Sequence, residues 1–379
     1  MKFKRFCLLL LIPFCGLSGC ATKPVGADKF LIGADISAAA TLEKAGVVYR
    51  ENNKPNDLFA ILKNNGFNTI RLRIFVNPNN EGIVTNDLPY TLDLAKRAKA
   101  HNMKLLLNFH YSDTWADPNK QFKPAAWANM PFDELKQTVQ SYTASVIEAF
   151  KKENVLPDMV QVGNEITPGM LWPDGRVGGD YENDAQWEKF TSLLKAGIAG
   201  VHEGAGDSKV IIMLHIDQGS KKGVTKWFFD NINKRQVPYD IIGVSFYPSW
   251  HGKIEDLNDN LNYIATELKK DVIVVETGYP YAENKRMKPS ENQQFPLTPQ
   301  GQYDLLYTVT KTVLDTPGNH GRGVFYWFPE SVPPPGRGGM GRGLGLFDPN
   351  GNVLSGAKAF SDAAAGKKPV KKTNKYNCQ

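Results

Sequence analysis

Short apolar runs recur along the chain, each followed by a helix-like stretch. They are FLIGAD (30–35), TIRLRIF (69–75), KLLLNFH (104–110), MVQVGNE (159–165), KVIIMLHI (209–216), IIGVSFY (241–247), VIVVET (272–277) and GVFYWF (323–328). They are continuously apolar rather than alternating, which suits parallel strands buried on both faces. Amphipathic segments lie between them. Segment 57–66 places Leu58, Ile61 and Leu62 on one face and stops at Gly66; segments 92–102 and 132–154 behave likewise. No repeat of solenoid or propeller length is visible. Eight strands with helical intervals, and no glycine-rich phosphate loop after the first, predict a single α/β domain, a (β/α)8 TIM barrel over residues 30–360. A doubly wound sheet is the runner-up and would usually show fewer strands.

The two ends fall outside this pattern. Lys2, Lys4 and Arg5 precede an apolar stretch too short to span a bilayer, which reads as a secretory signal over 1–19. It closes on Leu17-Ser18-Gly19-Cys20, similar to the bacterial lipobox, so Cys20 is the expected lipidation site and the membrane an expected partner through that anchor. Residues 20–29 read as a tether, and 361–379 as a disordered Lys-rich tail. The residues directly after Cys20, Ala21-Thr22-Lys23, include no Asp, which favours the outer membrane. Cys7 and Cys15 leave with the signal, and only Cys378 remains as a free thiol, so no internal disulfide or thiolate zinc site is expected.

Composition is that of a globular protein, with 41% apolar and 22% charged residues. The net charge of +6 would suggest an anionic partner. The signal contributes +3 and the tail +4, however, leaving −1 for residues 6–360. The barrel has no basic face with interleaved aromatics, so nucleic acid is not an expected partner. A monomer is the default expectation.

In a barrel, chemistry sits at the C-terminal ends of the strands. Those ends carry Arg71 and Arg73, His110, Asn164-Glu165, His215 and Asp217, Tyr247, Glu276 and Trp327. Glu165 and Glu276 each terminate an apolar strand. A lone glutamate there would more often be an ion-pair partner, but paired carboxylates facing a cleft are the apparatus of glycoside hydrolysis. Glu276 must be ionised to attack, and Arg73 with the Tyr247 hydroxyl is expected to converge on it and lower its pKa. Glu165 must hold a proton, which a nearby ionised Glu276 favours. Asn164 is expected to reach the sugar 2-hydroxyl, and retention requires the carboxyls about 5–5.5 Å apart. Trp115, Trp172, Trp250 and Trp327 fall at or after strand ends and suit stacking on sugar rings; Trp127, Trp187 and Trp227 read as packing residues.

The strings GADIS (33–37), NFHYSDTWADP (108–118), VGNEITPGMLWPDG (162–175), IIGVSFYPSWHG (241–252) and VVETGYP (274–280) resemble the arabinogalactan endo-β-1,4-galactanases of glycoside hydrolase family 53. The resemblance spans about residues 30–360. It implies an endo-acting, retaining barrel enzyme on β-1,4-galactan, with Glu165 as acid/base and Glu276 as nucleophile. It also implies a cleft shaped by Asn164, Arg73, His110, Asp113, Trp115, Tyr247, Trp250, His251 and Trp327. Two strings depart from the family's pattern: Phe75-Val76-Asn77-Pro78 replaces Trp-Asn-Asp, and Trp327-Phe328-Pro329-Glu330-Ser331 replaces Trp-Glu-Pro-Ala-Trp. They bear on subsite number and product length. Some members bind a structural calcium, but Asp348-Pro349-Asn350-Gly351 is too thin a motif, so neither metal nor cofactor is expected. A hydrolase of the same clan acting on mannan, xylan or glucan, or a non-catalytic glycan-binding barrel, remains an alternative.

Overall fold

The computed structural model describes residues 30–283, 292–336 and 343–367. The expected signal, Cys20, the tether up to 29 and the chain after 367 lie outside these residues. The eight apolar runs are β1 (Leu31–Asp35), β2 (Thr69–Ile74), β3 (Lys104–Phe109), β4 (Met159–Val162), β5 (Ile211–Ile216), β6 (Ile241–Phe246), β7 (Asp271–Thr277) and β8 (Gly321–Trp327). Neighbours pair in parallel in chain order, and β8 pairs with β1 to close the barrel. Each strand is followed by a helix: α1 (Leu58–Asn64), α2 (Leu88–Ala100), α3 (Phe132–Lys152), α4 (Asp184–Ala205), α5 (Lys222–Lys234), α6 (Ile254–Tyr263), α7 (Pro299–Leu314) and α8 (Gly356–Ala364).

Two boundaries differ from expectation. Helix α2 starts four residues before position 92, because Asp87 caps the backbone N–H of Tyr90 and Pro89 preorganises the first turn. Helix α8 crosses the expected boundary at 360. Its stripe is mostly alanine (Ala357, Ala359 and Ala363 around Phe360), which gives weak hydropathic contrast, yet all four are buried. Phe360 packs on Phe67 with ring centroids 5.5 Å apart, and Asp362 accepts from the Tyr303 hydroxyl.

The main core lies between the barrel wall and the helices. A second, smaller cluster plugs the lower barrel: Leu106, Met159, Met213, Ile241, Ile273, Val275 and Phe325. Gly33 makes room for it, since a Cβ there would meet the Phe325 ring at 2.1 Å. Side chains alternate along a strand. On β3, Leu106 in the plug is followed two residues on by Asn108; on β4 Met159 is followed by Gln161, and on β5 Met213 by His215. The inward face thus changes from apolar at the bottom to polar towards the mouth. Strand β7 breaks the alternation. Val275 belongs to the plug, so regular pleating would turn Glu276 outward. A register shift pairs Val244 with Val274 but Ser245 with Glu276, making Val275 an extra residue and turning Glu276 back inside.

Candidate active site

A cavity of about 620 Å³ opens at the C-terminal ends of the strands, within the range of small-molecule sites. Glu165 and Glu276 both line it. Glu276 is 6% exposed and meets two donors: Arg71 Nη1 lies 2.7 Å from its Oε1, and the Tyr247 hydroxyl donates to Oε2 at 3.2 Å. The expected tyrosine is present, but the arginine is Arg71, not Arg73. Both face inward on β2, and Arg71 sits one layer deeper, in register with Asp35. Its guanidinium also donates to Asp35 Oδ2 (2.9 Å), Gln161 Oε1 (3.1 and 3.3 Å) and Asn164 Oδ1 (2.9 Å). Every N–H of Arg71 is thereby used.

Arg73 is held elsewhere. It lies over the Trp115 ring at 4.1 Å, donates to the Ile83 carbonyl and stands 3.9 Å from Asp35. It lines the cavity as the backing of Trp115 rather than as a partner of Glu276.

Glu165 follows β4 with a left-handed backbone, φ +48°, an uncommon conformation for a residue with a Cβ. The Gln121 amide donates to the carbonyls of Asn164 (2.7 Å) and Glu165 (3.2 Å), pinning this turn. The Ser245 hydroxyl donates to Glu165 Oε1 at 2.7 Å. Among the described residues, no cation touches the carboxyl. Burial and then the neighbouring Glu276 charge push Glu165 well above the ordinary carboxylate range. Burial also lifts Glu276, but Arg71 and Tyr247 oppose that lift, so Glu276 is raised less and ionises first. The expectation that its donors alone would carry it downward is thus reversed by burial.

Asn164 Oδ1 accepts from Arg71 and Asn108, and its Nδ2 donates one hydrogen to the Ala116 carbonyl, leaving the other for the cavity. His110 Nδ1 accepts from the Ala116 N–H, and burial pushes its pKa well down, so the ring is neutral. His251 Nδ1 accepts from the Tyr247 N–H. His110, His251, Asn164, Tyr247, Trp115, Trp250 and Trp327 all line the cavity. Trp115 and Trp327 meet edge to face at 6.2 Å, and Trp250 stands 67% exposed.

Two expected site residues are not brought there. Asp113 spends its oxygens on the backbone N–H groups of Asn77 and Ala125, tying loops together. Trp172 does not line the cavity: its indole donates to the Pro168 carbonyl, one face covers Arg176, and it meets Phe122 edge to face. Asp35 and Arg71 are added to the site. Asp35 ends β1 and obeys the strand-end rule that found the others.

A (β/α)8 barrel with two carboxyls in its mouth, one buried on a cation and one half-buried on a hydroxyl, has the constitution of a glycoside hydrolase. Residues 31–360 match the model of Glycosyl hydrolase family 53, and the chain belongs to that family. It is a glycosidase. The chain is 40% identical to an uncharacterised protein of Niallia circulans over 89% of this chain and 94% of that one. It is 36% identical to an endo-β-1,4-galactanase of Bacillus subtilis over 82% and 72%. Among solved structures it resembles a family 53 catalytic domain of Ignisphaera aggregans, with a TM-score of 0.80, 34% identity and coverage of 89% and 98%.

Proposed function

We propose that the chain is an endo-acting, retaining β-1,4-galactanase, with Glu276 as nucleophile and Glu165 as acid/base. The observation that carries the roles is the unequal pairing of the two carboxyls among the described residues: Glu276 on Arg71 and Tyr247, Glu165 on Ser245. The substrate is argued from the activity in the name of the Bacillus subtilis relative. The Glu276 carboxylate attacks the anomeric carbon while Glu165 gives its proton to the glycosidic oxygen. That oxygen takes the bond's electron pair and leaves as an alcohol. Water then attacks the glycosyl ester, gives a proton to Glu165, and Glu276 departs as carboxylate. Asn164 Nδ2 holds the 2-hydroxyl, and Trp115, Trp250 and Trp327 carry sugar rings on their faces. Trp172, with exposed Phe122 at its edge, offers a further platform outside the cavity. Every group in this scheme is a side chain or water, so it calls for no cofactor.

Glu165→Ala and Glu276→Ala are expected to keep the fold, read by circular dichroism, and to lose nearly all reducing-sugar release from linear galactan. Near-wild-type release by either overturns the assignment. Release from mannan, xylan or glucan in place of galactan overturns the substrate. For localisation, the lipobox-like run ending at Cys20 supports a lipid-anchored protein of the outer membrane.

A further inference from the structure

Beneath Glu165 lies a chain of buried hydrogen bonds that the double displacement does not require. Gln161 Nε2 stands 3.0 Å from His215 Nδ1, and the Glu165 backbone N–H points at the same nitrogen at 3.4 Å. The Gln161 amide is oriented by Arg71, whose two donors occupy its Oε1. Nδ1 therefore faces donors only, and the single proton of a neutral imidazole must sit on Nε2. Burial and the charge of Arg71 keep the ring neutral. His215 Nε2 lies 2.9 Å from Ser245 Oγ, so the N–H donates to the hydroxyl. Among the described residues, Ser245 Oγ then has one acceptor in reach, Glu165 Oε1 at 2.7 Å. His215 thus holds Glu165 twice, at its strained backbone and, through serine, at its carboxyl.

We propose that His215 and Ser245 are a positioning pair for the acid, which keeps the transferable proton of Glu165 on Oε2. With Oε1 accepting from serine in both protonation states, a proton can reside only on Oε2. That oxygen has no hydrogen-bond partner among the described residues. Without the pair, the carboxyl can turn or carry its proton on the oxygen facing away from the leaving group. This inference rests on Glu165 being the acid/base.

The test compares kcat/KM on linear galactan with that on a dinitrophenyl β-galactobioside, whose leaving group departs without a proton. Ser245→Ala is expected to lose on the order of tenfold on galactan and to stay within about twofold on the dinitrophenyl substrate. The serine donor favours ionised Glu165, so its removal is expected to move the basic limb of the galactan profile to higher pH. His215→Gln, which keeps a donor near Nε2, is expected to retain the wild-type limb, whereas His215→Asn shifts it like Ser245→Ala. Equal losses on both substrates, an unmoved limb in Ser245→Ala, or identical behaviour of the two histidine variants overturns the proposal. Glu165→Gln separates the underlying reading: loss on galactan with the dinitrophenyl rate retained supports Glu165 as the acid, whereas retained galactan turnover overturns that role itself.

Discussion

Arg71 is 1% exposed and ties together Glu276, Asp35, Gln161 and Asn164, so it fixes charge and geometry at once. A lysine at this position supplies one ammonium and cannot reproduce five directed donors. Arg71→Lys is expected to lower kcat on galactan by on the order of a hundredfold, as removal of a buried site donor does elsewhere. The sign of the pH effect follows from the contacts. Arg71 holds the Glu276 pKa down against burial, so loosening it raises that pKa. The acidic limb, along which activity falls as Glu276 takes up its proton, is expected to move to higher pH. An unchanged acidic limb would mean that Arg71 does not govern the nucleophile. The carboxyls themselves were legible in sequence because each ends an apolar run. Which arginine serves Glu276 was not, because Arg71 and Arg73 share one face of β2. Their depth depends on how the strands stagger around the barrel. Asp113 and Trp172 lie in loops whose paths no strand pattern fixes.

At the scale of elements, the strands were readable because burial on both faces leaves uninterrupted apolar runs. The extra residue in β7 was not. Val275 is apolar like its neighbours, and only the register with β6 shows that it turns Glu276 inward. The loop after β8 holds another buried carboxyl. Glu330 is fully buried, accepts from the Ala38 N–H through Oε1, and has its own carbonyl bonded by the Tyr49 hydroxyl. It thereby fastens the β8 loop to the turn after β1. Burial and nearby Asp35 raise its pKa well above the ordinary range. A raised folded-state pKa gives stability that is complete below the unfolded value of about 4.3 and is lost as pH rises through the folded value. Glu330→Gln removes that loss. Its Tm, from thermal unfolding at pH 5 and pH 8, is expected to exceed wild type by more at pH 8 than at pH 5. A variant less stable at pH 8 than at pH 5, relative to wild type, would mean that Glu330 works as a carboxylate.

At the scale of the whole molecule, the described chain starts at the N-terminal ends of the strands, and α8 packs close by through Phe360. Asn68, just before β2, donates to the Phe30 carbonyl, and Phe67 beside it packs on Phe360 of α8. Lys367, three residues past α8, accepts through its carbonyl from Tyr307. The strands begin on this face, and the carboxylates open on the opposite one. Phe30, the first described residue, thus lies on the far side of the barrel from the mouth. A lipid on Cys20 would also hold the barrel by that far face. The nine residues Ala21–Lys29 span at most about 30 Å. Such an anchor would join the barrel on the face opposite the mouth, so catalysis should not depend on it. Cys20→Ser is expected to move the enzyme from the membrane fraction to the soluble fraction. Its kcat/KM on soluble galactan should stay within about twofold of wild type, because no contact of the cavity is altered. Retention of the variant in the membrane fraction would refute the anchor. A large change in kcat/KM would show that the far face and the mouth are coupled.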